Sequence, residues 1–208
     1  DENNLMDTIF SAIHEAGHAL YEQGLPSELA YQPIGAACSL SVHESQSRFW
    51  EACLGRSYFF WMIFYKKLYS SFPEQLKSIS DKDFYRAINR VRLGFIRIDS
   101  DPLTYNLHIL LRYDIEKKMI NSCIAIDDLP GLWNELFEKY FGIEAPDDQH
   151  GILQDIHWSY GLIGYFPTYT LGNIISSQLY AKMEKETWLW HSAMDNSNFH
   201  ATREWLAK

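Results

Sequence analysis

Two histidines separated by three residues stand in the first amphipathic stretch of the chain, within His14-Glu15-Ala16-Gly17-His18. On a helix, residues four apart lie about 40° around the axis and about 6 Å along it, so both imidazoles can converge on one ion. Glu15 projects beside them and can reach a metal-bound water as a general base. Two imidazoles, a carboxylate and an open water position suit Zn²⁺. The pattern predicts a hydrolytic zinc site, although two histidines at this spacing can also line an ordinary core.

A catalytic zinc site needs a third protein ligand, and the sequence narrows the choice. The position of the third histidine in the extended form of the motif is Gly24. Glu22 lies eight residues beyond His14, about 12 Å along the helix, which is too far to close the same tetrahedron. Glu44 stands at the start of a second helical stretch, where it could be the ligand or form a capping box with Ser41. Spacing alone leaves both alternatives open.

The elements that must position these residues are helical, because a period of three to four runs through almost the whole chain. Gly24 and Pro26 end the first helix, and residues 34–42 are a candidate short edge strand. We expect an all-α chain of seven or eight helices whose apolar faces pack on one another. The expected helices span residues 4–23, 41–71, 81–94, 101–119, 128–142, 150–160, 168–185 and 198–207.

Composition limits the classes of protein that this chain can belong to. Its 208 residues are 47% hydrophobic, which is enough for one core, so we expect a single catalytic domain over residues 1–208. A formal net charge of -9, without a basic strip interleaved with aromatic residues, argues against a nucleic-acid partner. The most apolar run, residues 58–65, is far shorter than the roughly 18 residues of a membrane span. No membrane segment is expected.

The three cysteines, Cys38, Cys53 and Cys123, are widely spaced and form no CxxC pair. We expect ordinary buried thiols in a reducing compartment, with neither a disulfide framework nor a cysteine zinc site. The first residues lack an initiator Met and the pattern of a secretory signal. These features favour a cytoplasmic protein and a chain that is part of something longer.

Four motifs in order give the sequence a family resemblance. HEAGHALYEQG at 14–24 and SVHESQSRFWE at 41–51 resemble the carboxypeptidase Taq family, whose HESQ glutamate completes the zinc site. Residues 96–101, IRIDSD, are similar to the IRxxAD motif with Ser100 in place of alanine, and residues 151–158 match GxxQDxHW. The resemblance gives Glu44 the role of third ligand, so the predicted metal site is His14, His18 and Glu44.

The resemblance also implies a fold and missing segments. Members of the family are helical and two-lobed with a deep groove, and they resemble the neurolysin and angiotensin-converting-enzyme group. The HPF and DxRxT motifs of the family do not occur in residues 1–13. The expectation is that this chain is the catalytic portion of a longer protein and that the N-terminal helical region lies outside it.

The implied activity is removal of single residues from peptide C-termini by zinc-activated water, with Glu15 as the general base. A carboxypeptidase must recognise a free carboxylate, which the planar guanidinium of an arginine can grip by both oxygens. By resemblance Arg97 has this role; without the motif, a salt-bridged arginine would be the simpler interpretation. Tyr165 and His157 are candidates to contact the substrate carbonyl and stabilise the charge that develops on it. The alternative is that Tyr165 is a packed aromatic residue and His157 a core histidine.

Gln154 and Asp155 are expected to be either structural or outer partners of the zinc histidines, since such histidines usually donate their second N–H to a carboxylate or carbonyl. Asp101 could serve the same purpose. Two other functions stay open. A helical zinc oligopeptidase or endopeptidase would lack the carboxylate clamp, and a metal-binding fragment could be catalytically silent. The resemblance further implies that related enzymes can work with Co²⁺ and can form homodimers.

Overall fold

The computed structural model of the chain describes residues 4–122, 124–186 and 199–208. All regular elements in these ranges are helical, and no strand occurs among them, which confirms the all-α prediction. The chain divides into two compact units, one formed by Asp1–Asn89 with Leu171–Lys208 and the other by Arg90–Thr170.

The first unit begins with helix α1, Leu5–Gly24, as the sequence predicted. The side chain of Asn4 caps its start by accepting a hydrogen bond from the backbone N–H of Asp7. Leu25 follows in an extended conformation and ends the helix. The two histidines of the motif therefore lie near the middle of a long regular helix.

Helix α2, Leu40–Arg48, begins where a strand had been expected, so the prediction of an edge strand over residues 34–42 is wrong. The hydroxyl of Ser39 accepts from the N–H of Val42 and caps the helix. Pro33–Gly35 before it form a 3₁₀ turn whose backbone hydrogen bonds are local. The N–H groups of Gly35 and Ala36 donate to the carbonyls of Gln32 and Pro33, and Pro33 has no N–H, so these groups are not available to a strand ladder.

A single helix over residues 41–71 was also expected, and the structure breaks it. Helix α2 runs into a π-helical segment, Phe49–Gly55, and α3, Tyr58–Ser71, begins after a turn. The hydroxyl of Ser57 caps α3 by accepting from the N–H of Phe60. The Gly55 carbonyl accepts from the indole N–H of Trp61 at 2.8 Å, so a side chain takes the place of a helical hydrogen bond at the break.

Two short helices complete this part of the unit: α4, Pro73–Leu76, and α5, Asp81–Ile88. Helix α5 was expected to reach Gly94 but ends earlier. The side-chain amide of Asn89 donates to the carbonyls of Tyr85 and Arg56, which satisfies the end of the helix and turns the chain away.

The second unit contains helix α6, Tyr105–Ser122, and helix α7, Leu129–Phe141. Asp101 accepts from the N–H groups of Leu103 and Thr104, so it caps the turn that precedes α6. Gly142 ends α7 at φ 68°, a left-handed conformation that glycine adopts without strain.

A helix predicted over residues 150–160 does not form; turns and a 3₁₀ segment, Trp158–Tyr160, take its place. The amide of Gln154 donates to the carbonyl of Phe95 and accepts from the N–H of Arg97. These tertiary hydrogen bonds hold the segment in an irregular path that helical periodicity could not predict.

Helix α8, Pro167–Glu186, and helix α9, His200–Leu206, follow and confirm the last two predicted helices within one or two residues wherever the structure describes them. The cores are largely aromatic. In the first unit they are formed by Phe49, Trp50, Leu54 and Met183 and by Phe10, Trp61 and Phe84. In the second they are formed by Leu111, Ile115, Leu129, Trp133, Leu136, Phe137 and Phe141 and by Tyr105, Ile109 and Phe166.

The cysteines differ from the expectation of buried thiols. Cys38 is exposed and Cys53 is only partly buried, and both are free; Cys123 lies outside the described residues. No helix in the described ranges is both long and apolar enough to cross a bilayer.

Candidate metal centre

Three side chains of the first unit converge at the crossing of α1 and α2. The Nε2 atoms of His14 and His18 lie 3.9 Å and 3.7 Å from Oε2 of Glu44. One ligand atom from each residue can be chosen so that all three lie within 4.8 Å of one another. Two ligands bound at about 2.1 Å in a tetrahedron are about 3.4 Å apart, so the group is close to the spacing that a zinc ion requires.

A glycine inside the histidine motif allows this approach. A Cβ added at Gly17 would lie 2.6 Å from Cα of Ser47 and 3.1 Å from the carbonyl oxygen of Gln46. Both are backbone atoms that cannot rotate away. A larger residue would separate α1 from α2, and only the bare backbone at this position lets Glu44 reach the histidines.

Glu44 is held from its other side by Gly172 of α8. A Cβ at Gly172 would lie 2.8 Å from Cγ of Glu44, so the stem of the glutamate fills the space that this glycine leaves. The capping-box alternative for Glu44 is wrong, because the residue that caps α2 is Ser39 and not Ser41. Glu44 therefore has its carboxylate directed at the imidazoles.

His14 is oriented by a buried carboxylate that the sequence did not identify. Its Nδ1 lies 3.0 Å from Oε2 of Glu51, and an ionised carboxylate can only accept, so Nδ1 carries the proton and Nε2 is free to bind a metal. Arg48 donates to the same Glu51 oxygen at 2.7 Å and, through Nε, to Oδ1 of Asn173 at 2.7 Å. This network fixes the position of Glu51.

Charges around His14 favour its protonated form when no metal is present. Burial opposes the charge on His14, but the hydrogen bond with Glu51 and the negative charges of Glu44 and Glu51 outweigh burial and raise its pKa. Burial likewise opposes the charge on Glu51, yet the hydrogen bond with His14 and the charge of Arg48 hold the pKa of Glu51 below its usual range. Glu51 is thus an ionised partner for a candidate metal ligand.

His18 has a different outer partner. Its Nδ1 lies 2.6 Å from Nδ1 of His43, whose Nε2 lies 2.8 Å from Oε1 of Glu22. Burial, followed by the positive charges that His14 and His43 can carry, lowers the pKa of His18. Glu15, the candidate general base, is exposed on α1 one residue after His14.

The other predicted site residues belong to the second unit, where a buried cluster gathers around Asp155. Arg97, only 6% exposed, donates to Asp155 through Nε and, at 2.7 Å, through Nη2, and its Nη1 donates to the hydroxyl of Tyr105. Arg112, fully buried, donates from Nε to the other oxygen of Asp155 at 2.7 Å. Two guanidinium groups share one carboxylate, so the cluster has an excess of positive charge.

The pKa values in this cluster follow from burial and from the pairing. Burial, together with the like charge of Arg97, lowers the pKa of Arg112 to about 10 in spite of Asp155. Burial of Asp155 opposes its ionisation, but the hydrogen bond from Arg97 and the two arginine charges lower its pKa. Asp155 is therefore ionised and holds both guanidinium groups.

His157 and Tyr165 lie next to this cluster and to each other. The ring centroid of His157 is 5.3 Å from that of Tyr165, and its Nε2 is 3.0 Å from the hydroxyl of Tyr169. Nδ1 of His157 is buried without a hydrogen bond, 3.9 Å from Oδ1 of Asp155. Burial, with the charges of the two arginines, lowers the pKa of His157 and favours the neutral ring.

Comparison with known proteins identifies the family. The model of the carboxypeptidase Taq (M32) metallopeptidase family matches residues 1–208. The chain belongs to this family. Carboxypeptidase 1 of Bacillus subtilis is 42% identical over all 208 residues, and thermostable carboxypeptidase 1 of Thermus thermophilus is 47% identical over 178 residues, 86% of this chain.

Solved structures of the family agree with the fold. The M32 carboxypeptidase of Deinococcus radiodurans superposes on the whole of this chain with a TM-score of 0.95 at 41% sequence identity. The carboxypeptidase of Pyrococcus furiosus superposes on 96% of this chain with a TM-score of 0.92 at 42% sequence identity. The chain spans only 42% and 40% of those two chains, and 42% and 35% of the Bacillus and Thermus relatives. It therefore corresponds to less than half the length of each of these four relatives.

Of the two roles left open for Gln154 and Asp155, the hydrogen bonds show the structural one, and the suggestion that Asp101 is an outer partner of the histidines is wrong. Asp155 and Gln154 bind Arg97 and its neighbouring backbone, and Asp101 is a helix cap, whereas the contacts to the histidines come from Glu51 and His43. The sequence signal for Glu51 was its position seven residues, about two helical turns, after Glu44, which puts both carboxylates on nearly the same helical face but does not assign Glu51 to His14.

Proposed function

We propose that the protein is a zinc-dependent metallocarboxypeptidase that removes single residues from peptide C-termini. The observation that carries the proposal is the convergence of His14, His18 and Glu44, with Glu15 on the same helical turn, in a chain of the M32 metallopeptidase family. The same helical architecture supports the further resemblance to the neurolysin and angiotensin-converting-enzyme group.

The donor set fits zinc, and Co²⁺ could replace it. Both histidines direct Nε2 toward Glu44, and His14 has its Nδ1 proton held by Glu51, which leaves Nε2 as the ligand atom. When bound, zinc would polarise the substrate carbonyl and lower the pKa of a bound water. Glu15, exposed to solvent in this chain, would take the proton of that water and pass it to the leaving amine.

The excess positive charge around Asp155 supports recognition of a terminal carboxylate. The hydrogen bonds of Arg97 use three of the five N–H groups of its guanidinium and leave two for a further acceptor. In this proposal a peptide carboxylate neutralises the second guanidinium charge, while Asp155 and Tyr105 hold Arg97 in place. His157 and Tyr165 supply donors to the substrate, with His157 acting as a neutral imidazole.

An oligopeptidase is the second candidate, because Arg97 is buried and already paired, as a purely structural arginine would be. Homodimerisation and a cytoplasmic location remain expectations from the resemblance and from the cysteine pattern.

Time-resolved mass spectrometry of one free-acid peptide, incubated with the full-length protein, tests the proposal. The zinc-loaded protein should release successive single C-terminal residues, and Glu15→Gln should retain zinc while cleavage slows by about 10² to 10⁴. Internal cuts would favour the oligopeptidase. Zinc binding without any cleavage would refute the enzymatic function and favour a silent metal-binding fragment.

A further inference from the structure

The outer contacts of the two histidine ligands are chemically different. His14 contacts a buried carboxylate directly, whereas His18 contacts a second imidazole, His43, at 2.6 Å between the two Nδ1 atoms. His43 in turn contacts Glu22, whose side chain is 53% exposed, at 2.8 Å. The three residues form a continuous hydrogen-bonded chain from the candidate metal centre to the surface of α1.

Only one arrangement of protons in neutral rings suits metal binding. A neutral imidazole has one N–H and one lone pair. If His18 uses its Nε2 lone pair for a metal, its proton is on Nδ1 and donates to Nδ1 of His43. The proton of His43 is then on Nε2 and donates to Glu22, whose carboxylate can only accept. The opposite arrangement would protonate Nε2 of His18 and direct a lone pair of His43 at the carboxylate.

The orientation of His43 is further restricted by packing. The ring of Tyr21 meets it edge-on at 5.4 Å between centroids, and the His18 and His43 rings are 4.5 Å apart with 34° between their planes. Rotation of His43 would break both hydrogen bonds at once. The contact with Glu22 and the packing against Tyr21 together favour the orientation in which His43 presents Nδ1 to His18.

We propose that His43 and Glu22 are positioning residues that fix the tautomer and the ring orientation of His18, and so prepare Nε2 of His18 for the metal. This inference rests on the proposed function, in which His14, His18 and Glu44 bind zinc. It assigns a role to the histidine of the HESQ sequence, which stands immediately before the candidate ligand Glu44. Glu22, rejected as a metal ligand because of its distance along α1, acts through His43 instead.

The test measures the zinc dissociation constant by competition with a chelator at fixed pH. His43→Ala should weaken zinc binding about tenfold to hundredfold, the usual effect of losing an outer partner. His43→Asn should restore part of this loss, because its amide oxygen can take the place of the Nδ1 acceptor. Glu22→Ala should weaken binding by a smaller factor, since Glu22 is more exposed and one step further away.

A double variant separates a chain of contacts from two independent effects. If Glu22 acts only through His43, adding Glu22→Ala to His43→Ala should cause no further loss. Glu28→Ala, which removes an exposed carboxylate from the segment after α1, controls for the loss of negative charge and should leave zinc affinity unchanged. Independent, multiplicative losses from the two substitutions would overturn the proposal, as would a His43→Ala protein that is folded and binds zinc normally.

Imidazole nitrogen spectra of the metal-free protein provide a second measurement. Two-bond ¹H–¹⁵N correlations should show His18 protonated at Nδ1 and His43 at Nε2, and Glu22→Ala should mix the His43 tautomers. A His18 ring protonated at Nε2 would contradict the inference whatever the zinc affinity. If the parent protein and Glu44→Ala bind zinc equally weakly, the proposed metal site itself fails. If Glu44→Ala binds zinc more weakly than the parent but the His43 variants have the zinc affinity of the parent, the positioning role alone fails.

Discussion

Replacing Gly17 by alanine should disrupt the candidate metal centre without changing any ligand. The added Cβ would lie 2.6 Å from Cα of Ser47, where ordinary contacts begin at 3.4 Å, so α1 and α2 must separate locally by about 0.8 Å. Metal sites tolerate deviations of only about 0.2 Å in ligand distance. Because Glu44 lies on α2, three residues before Ser47, the separation moves its carboxylate away from the histidines.

Two opposing effects determine the stability of this variant. Alanine in place of glycine inside a helix stabilises by about 0.5–1 kcal/mol, whereas overpacking against backbone atoms costs about 1–3 kcal/mol. The net loss in the free energy of unfolding is therefore about 0 to 2.5 kcal/mol, and we expect it toward the upper end because the clash is with backbone atoms. The dissociation constant for zinc should rise at least about tenfold, which is the lower end of what a displaced coordination shell causes.

The assay separates the two quantities. Urea unfolding with chelator present measures the stability of the metal-free protein, and a zinc competition titration measures affinity. Gly24→Ala is the matched control, since it lies on the same helix and a Cβ there would meet nothing within 4 Å. If Gly17→Ala were as stable as Gly24→Ala and bound zinc as tightly, close approach of α1 and α2 would not be what assembles the site.

Two further predictions concern the cluster around Asp155. Arg97→Ala should reduce kcat/KM for a free-acid peptide about tenfold to hundredfold and leave the slow hydrolysis of the matching C-terminal amide nearly unchanged. Arg97→Lys should give an intermediate kcat/KM for the free-acid peptide, because a point charge lacks bidentate geometry. Equal losses on both peptides would show that Arg97 only supports the fold. The pKa of Asp155 is lower in the folded state than in the unfolded state, where it is about 3.9. Ionised Asp155 therefore contributes its full stabilisation at pH values above about 3.9, and this stabilisation is lost as the pH falls through the pKa of the folded state. Urea unfolding from about pH 5 to about pH 3 should show the free energy of unfolding of the parent falling with pH, and a flatter dependence on pH in Asp155→Asn. If the free energies of the two proteins fell in parallel, the pairing of Asp155 with Arg97 and Arg112 would be refuted.

The local sequence was sufficient for helix α1 and for two of the candidate metal ligands. Helical periodicity and spacing four apart are properties of a continuous segment, so His14 and His18 could be placed on one face before any tertiary contact was known. The same holds for α7, whose C-terminal Gly142 and buried apolar face lie within one continuous segment. For Glu44, spacing left two alternatives: the observed Ser39 cap excludes the capping box with Ser41, and the ligand role implied by the resemblance stays a prediction.

Tertiary structure alone decided where the long second helix breaks and which residues support the ligands. The break after Gly55 depends on the indole of Trp61 reaching a backbone carbonyl, and the end of α5 depends on Asn89 reaching Arg56. Glu51 and His43 could be assigned to His14 and His18 only once α1 and α2 were in contact. These hydrogen bonds join residues 25 to 37 positions apart, and a helical period describes only neighbours within about one or two turns. Sequence periodicity therefore placed the histidines, whereas the close packing at Gly17 brought Glu44 and the outer partners to them.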